Sequence, residues 1–239
     1  MNNRRTLIAA IVGGALLLGA AGLGIIYFAV FAGSSPQKLA LSSPTPSTSA
    51  STSPDSSAGA GTWTVGSGSQ AGYRVREKLA ALSAPSDAVG RTTEVTGTLT
   101  LTQAASGYSV TAADITVDVT KLSSDQSRRD QRIHSQGLES DRYPTATFKL
   151  TSPIALTADA TSGQTVHVSA TGDLTIHGVT KSVTIPIDAR LTGSTIELVG
   201  SISFPFSQFG MTPPSIGGFV SVQNTATMEF QLLLTRQGA

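Results

Sequence analysis

From Trp63 onward, apolar and polar side chains alternate with a period of two in one short run after another. In Asp114-Ile115-Thr116-Val117-Asp118-Val119 the alternation sends Ile115, Val117 and Val119 to one face, the pattern of a half-buried strand. Residues 182–188 repeat it with Val183, Ile185 and Ile187, and residues 165–170 follow suit. Met228, Phe230, Leu232 and Leu234 share a face near the end of the chain. Further strands are expected at 63–65, 73–76, 95–101, 146–156 and 196–204. About eight short strands, separated by turns such as Thr192-Gly193-Ser194, predict an all-β sandwich or a closed antiparallel barrel.

Two stretches break the alternation. Residues 124–140 are polar and charged with no β-branched run, which predicts a helix of about three turns, capped by Ser124 and ended by Gly137. Within it, Asp125 and Arg129 stand four apart in the favourable order for an ion pair. Residues 204–218 are rich in Pro and Gly yet carry Phe204, Phe206, Phe209 and Met211. A loop this apolar either packs under the barrel rim or covers an opening.

Ahead of the strands the pattern changes twice. Leu7 to Ala32 contains no charge, and at about 1.5 Å per residue it makes roughly 39 Å of helix, enough to span a hydrocarbon core of about 30 Å. Arg4 and Arg5 precede it, so the positive-inside rule puts residues 1–6 in the cytoplasm and the rest outside. The predicted arrangement is a single-pass plasma-membrane anchor at 7–32; a secretory signal cleaved after Ala32 also exports the domain. Residues 33–61 are dominated by Ser, Thr and Pro with almost nothing to bury, the composition of a disordered spacer. One domain is then expected over 62–239.

Composition narrows the chemistry. The net charge is +1, and acidic and basic residues nearly balance from Thr62 on, which argues against a nucleic-acid partner. There is no cysteine, hence no disulfide framework, no thiolate metal site and no thiol for lipoprotein attachment. The three histidines, His134, His167 and His177, are not at metal-ligand spacing, and no serine lies in a G-x-S-x-G context. Gly66-Ser67-Gly68-Ser69-Gln70-Ala71 loosely fits a phosphate loop but runs into a strand pattern, and reads as a turn. Asp125, Asp130 and Asp141 are too scattered to argue for prenyl-diphosphate chemistry. A non-enzymatic protein with no metal or cofactor is expected. Small barrels of this kind either fill their interior with side chains or enclose an apolar ligand.

The segment Ala170-Thr171-Gly172-Asp173-Leu174-Thr175-Ile176-His177-Gly178-Val179-Thr180-Lys181 resembles the YceI-like family of exported lipid-binding proteins. So does the stretch from Arg129-Asp130 through Asp141-Arg142-Tyr143-Pro144-Thr145-Ala146-Thr147-Phe148, and the likeness extends loosely from about Trp63 to Leu234. The resemblance implies an extended, lipocalin-like antiparallel barrel of about eight strands with one short helical insert. It also implies an apolar tunnel for a polyisoprenoid or other long-chain lipid, lined by Ile115, Val117, Val119, Phe148, Val183, Ile185, Ile187, Phe204, Phe206 and Phe230. For the lipid head group it points to His177, Arg128 and Arg132, with Arg129 beside them. Two plainer readings stand next to these: His177 braces the turn formed with Gly178, and the arginines form a solvated, ion-paired helix face. The expected function is carriage or sequestration of such a lipid outside the plasma membrane. The alternative is a solidly packed interaction module of the cell envelope.

Overall fold

Among the described residues the chain forms eleven β-strands, most of them realising the alternating runs. The computed structural model describes residues 35–43, 59–79, 86–214 and 220–237. The expected anchor at 7–32 lies outside these, and among the described residues no helix is long and apolar enough to cross a membrane. The chain divides into two compact units, residues 1–36 and 37–239, and all eleven strands belong to the second.

In chain order the strands are β1 (Gly61–Val65), β2 (Gln70–Leu79), β3 (Ser86–Thr92), β4 (Val95–Ala104), β5 (Gly107–Asp118), β6 (Thr145–Leu150), β7 (Ile154–Thr157), β8 (Val166–Ile176), β9 (Val179–Thr192), β10 (Thr195–Pro205) and β11 (Val220–Arg236). Every pairing is antiparallel. Eight strands, in the order β1-β4-β5-β6-β8-β9-β10-β11, form a closed ring, because β1 pairs β4 on one side and the end of β11 on the other. Closure removes the unpaired edges that an open sheet would expose. The β2–β3 hairpin lengthens the wall beyond the ring by pairing with β11 between Val220 and Gln231, and β7 lengthens it elsewhere by pairing with the start of β5.

Strand faces follow the alternation. Val183 and Ile185 of β9 are buried while Thr184 and Pro186 beside them are exposed, and Ala170, Leu174 and Ile176 of β8 are buried. β10 parts from β9 beyond the Gly200–Ile187 pair, so Pro186 stands where no donor is needed on that side. The resulting split is filled by a 3-10 turn, Phe206–Phe209, that follows β10. Phe204, Phe206, Phe209 and Met211 are all buried there, with the Phe204 and Phe209 rings edge-to-face at 4.7 Å. Of the two readings of the apolar loop, its described part, up to residue 214, packs under the rim.

The helical insert begins later than expected but ends at Gly137, as expected. α1 spans Ser127–Arg132 and runs on as a single π-helical turn, Ile133–Gly137. Ser124 is not its N-cap residue: Gln126 holds that position without a side-chain bond, and Ser124 instead donates its N–H and hydroxyl to the Asp130 carboxylate at 2.9 and 2.6 Å. The Asp125–Arg129 pair forms as expected, at 2.5 Å.

Two apolar clusters make up the barrel core. One gathers around Phe206, Phe209, Leu174 and Ile185, the other around Trp63, Leu99, Leu101 and Leu234, and Phe230 packs against both. Trp63 is 1% exposed and donates its indole N–H to the Gly59 carbonyl at 3.0 Å. The spacer also departs from expectation. Instead of being free of structure from Gly33 onward, the stretch from Gln37 to Ser42 hydrogen-bonds to Arg91, Gln231, Glu197 and Arg190 on the outside of the barrel.

Candidate functional site

Because inward positions are Val, Ile, Leu, Ala, Met and Phe, the barrel interior contains three apolar cavities of about 90 Å³ each. The first lies at the end bordered by the π-helical turn that follows α1 and by the Phe206–Phe209 turn, among Tyr73, Ile133, Leu138 and Met211. The second is central, among Phe148, Leu174, Ile185 and Leu232. The third reaches the other end, between Trp63, Tyr108 and Leu156. Ala71, Val117, Ala146 and Met228 border both the first and the second. Leu99, Val110, Ile154, Ile187 and Leu198 border both the second and the third. The three cavities therefore follow one another along the barrel.

Nine of the ten residues named for a tunnel lie on these walls. Val117, Val119, Phe204 and Phe206 border the first cavity; Ile115, Phe148, Ile185, Ile187 and Phe230 border the second. Val183 is the exception: it is buried in the core beside Ile185 but faces none of the three. Sequence reasoning missed Tyr73, Met228, Leu138 and the Trp63 end. Period two marks the inward face of a strand, and it carries no information on which inward side chains meet a void.

The proposed head-group residues separate. Arg128 is exposed on α1. Arg129 and Arg132 border a small cavity with Glu77, Pro214, Tyr73, Val75 and Ile133, and the last three also line the first apolar cavity. Arg129 is already engaged, with both Glu77 oxygens at 3.2 and 3.1 Å and with Asp125, so it ties α1 to β2. Among the described residues the buried Tyr73 hydroxyl has no hydrogen-bond partner, and burial pushes its phenol above the ordinary range, keeping it a neutral donor.

His177 braces the turn. It and Gly178 both have positive φ, +53° and +72°, the conformation of a two-residue hairpin turn between β8 and β9. The His177 ring lies 4.5 Å from the Tyr143 ring, with Nδ1 3.3 Å from the Phe209 carbonyl and Nε2 3.4 Å from the Glu139 carboxylate. A left-handed conformation in a residue other than glycine persists only where its surroundings hold it. Here the hairpin tip is clasped between the helical insert and the buried turn. A Cβ on Gly178 would come within 2.6 Å of the Tyr143 ring. Gly178→Ala is expected to destabilise the fold by about 2 kcal/mol, lowering the unfolding midpoint by roughly 4–8 °C in a thermal melt. An unchanged melt would show that the clasp yields.

The other histidines are accounted for locally. His134 bridges the Ser140 hydroxyl and the Leu122 carbonyl at 3.0 and 2.9 Å, and His167 pairs with Asp188 on the exposed face. Among the described residues, no group of three or more His, Asp or Glu is placed to hold a metal ion.

An eight-stranded antiparallel ring around a file of apolar cavities, with one short helical insert at its end, defines a closed antiparallel β-barrel. The chain belongs to the YceI-like domain family, whose match covers residues 63–234. Among solved structures, it is similar to a polyisoprenoid binding domain from Saccharophagus degradans, with a TM-score of 0.53 and 13% identity over 74% of this chain and 99% of that one. It is also similar to a mutant Campylobacter jejuni YceI protein, with a TM-score of 0.50 and 15% identity over 67% of this chain and 91% of that one. At such identities these likenesses show the fold. A UPF0312 protein of Vibrio parahaemolyticus is 40% identical over 82 residues, 34% of this chain and 39% of that protein. One from Vibrio campbellii is 38% identical over the same length. The chain thus spans about two fifths of the curated relatives it matches.

Proposed function

We propose that the barrel binds a long, flexible apolar chain, an isoprenoid or similar lipid, threaded along its axis and carried or sequestered outside the plasma membrane. The observation that carries this reading is the file of three apolar cavities with shared walls. Each is smaller than the roughly 150 Å³ void that accommodates benzene. A compact ligand is therefore poorly served, whereas a narrow chain occupies all three in series. Met228, between the first two cavities, is the type of side chain that re-packs around such a chain. Burial contributes about 0.8 kcal/mol per CH₂, so affinity needs little polar chemistry. The neutral Tyr73 hydroxyl and the guanidinium groups of Arg129 and Arg132 lie at the helix end, which supports placing a polar head group there. Membership of the YceI-like family and the likeness to a polyisoprenoid binding domain support the same ligand class. The uncharged run 7–32 supports a membrane address for the domain.

Native mass spectrometry of protein purified without delipidation tests this. The expected result is an adduct with the mass of a long-chain lipid that denaturing extraction releases. Bare protein from which no apolar fluorescent probe can be displaced would overturn it in favour of a packed interaction barrel.

A further inference from the structure

Glu197 and Glu229 stand on the outward faces of β10 and β11, where carboxylates are ordinarily solvated, yet they are 5% and 3% exposed. They belong to a polar ladder that crosses the strands. Arg91 of β3 donates to Glu229 at 3.1 and 2.7 Å, Gln231 of β11 donates to Glu197 at 2.7 Å, and Arg190 of β9 donates to Glu197 at 3.2 Å. Over this ladder lies the stretch from Gln37 to Ser42. Its Gln37 carbonyl accepts from Arg91, its Ala40 carbonyl accepts from Gln231 at 3.2 Å, and its Ser42 carbonyl accepts from Arg190. The Ser42 N–H and hydroxyl both donate to Glu197, each at 2.9 Å. Leu39 and Leu41 are half-buried while Ala40 between them is exposed. Burial alone would raise the Glu197 pKa. The Ser42 and Gln231 hydrogen bonds and the Arg190 charge hold it below the usual carboxylate range.

A stretch with the composition of a spacer thus satisfies polar groups on β3, β11, β10 and β9 at once. The geometry points to residues 37–42 as an intramolecular latch that shortens the tether between the membrane segment and the barrel. Undocked, residues 33–61 would reach up to about 100 Å when extended, and roughly 30 Å as a random coil. With the latch closed, the chain is already engaged on the barrel at Gln37, which takes residues 38–61 out of the tether. A shorter tether limits how far the barrel can stand from the bilayer from which its ligand would come, and β3 engages the latch through Arg91. The latch needs no membrane, whereas the shortening rests on reading residues 7–32 as an anchor.

The absence of native cysteine permits clean spin labelling of the full chain. Ala40→Cys uses a position that contributes only its backbone carbonyl, and Ser201→Cys lies on the exposed outer face of β10. In nanodiscs the pair is expected to give one narrow distance, unchanged on dilution with unlabelled protein. Adding Ser42→Pro, Leu39→Gly and Leu41→Gly, all outside the barrel, should broaden it. In the same variant the distance from the Ser201 label to the bilayer surface should grow by roughly 15 Å. A broad distribution in the parent, or a narrow one lost on dilution, overturns the latch. A narrow distance with an unchanged bilayer separation overturns the shortening. A latched chain that does not enter nanodiscs overturns it through the anchor, and the native-mass adduct reports on the lipid reading separately.

Discussion

Ala146→Phe should abolish lipid retention while leaving the barrel folded. Ala146 lies on β6 opposite Val117 of β5, and both residues border the first and second cavities. A phenyl ring there fills the neck between them and confines any threaded chain to one end. At about 0.8 kcal/mol per CH₂, loss of five methylenes from the tunnel amounts to about 4 kcal/mol, roughly a thousandfold in affinity. Overpacking costs the fold about 1–3 kcal/mol. The check is displacement of an apolar probe together with native mass spectrometry. Ala155→Phe, at an exposed position of β7, serves as the control that should leave binding intact. Equal lipid retention by the two variants would mean that the ligand does not pass the neck.

Glu229→Ala should be the most damaging substitution on the outer wall. The carboxylate accepts from Arg74 at 3.4 Å and from Arg91 at 2.7 Å, and all but 3% of the residue is shielded from water. Removing one member of a buried ionic cluster leaves charge behind without compensation, at a cost of about 3–5 kcal/mol. For a domain of this size that corresponds to an unfolding midpoint lower by roughly 10 °C. Asp87→Ala removes another ion-pair partner of Arg74, but that carboxylate is 23% exposed. It should cost about 1 kcal/mol or less. Thermal melts of the two variants make the comparison, and equal shifts would show that water reaches Glu229 after all.

The legible part of the site was its apolar wall. Ile115 and Val117, and again Ile185 and Ile187, stand two apart on strands whose intervening residues are not part of that face, so their common side was plain without coordinates. The His177–Gly178 turn was legible for a similar reason, being a local conformation demanded by adjacent residues. β3 was not. Its sequence Ser86-Asp87-Ala88-Val89-Gly90-Arg91-Thr92 has no alternation, and it becomes a strand by pairing with β2 along its length. The start of α1 was also out of reach, because Ser124 turns back to the Asp130 carboxylate instead of capping the helix, whereas the helical run ends at Gly137 as expected.

The amino-acid sequence by itself determined that the chain after Trp63 is built of strands with one apolar face each, joined by tight turns and interrupted by a charged helical insert. Those properties follow from spacing over a few residues. The tertiary structure decided which strands close the ring, where inward side chains leave voids, and that Arg129 is spent on Glu77. It also decided that a spacer-like segment comes to rest on Glu197 and the Arg91–Glu229 pair. Each of these joins residues far apart in sequence, 155 positions in the case of Ser42 and Glu197. Local periodicity reports the face a side chain presents, and only closure of the sheet determines what that face meets.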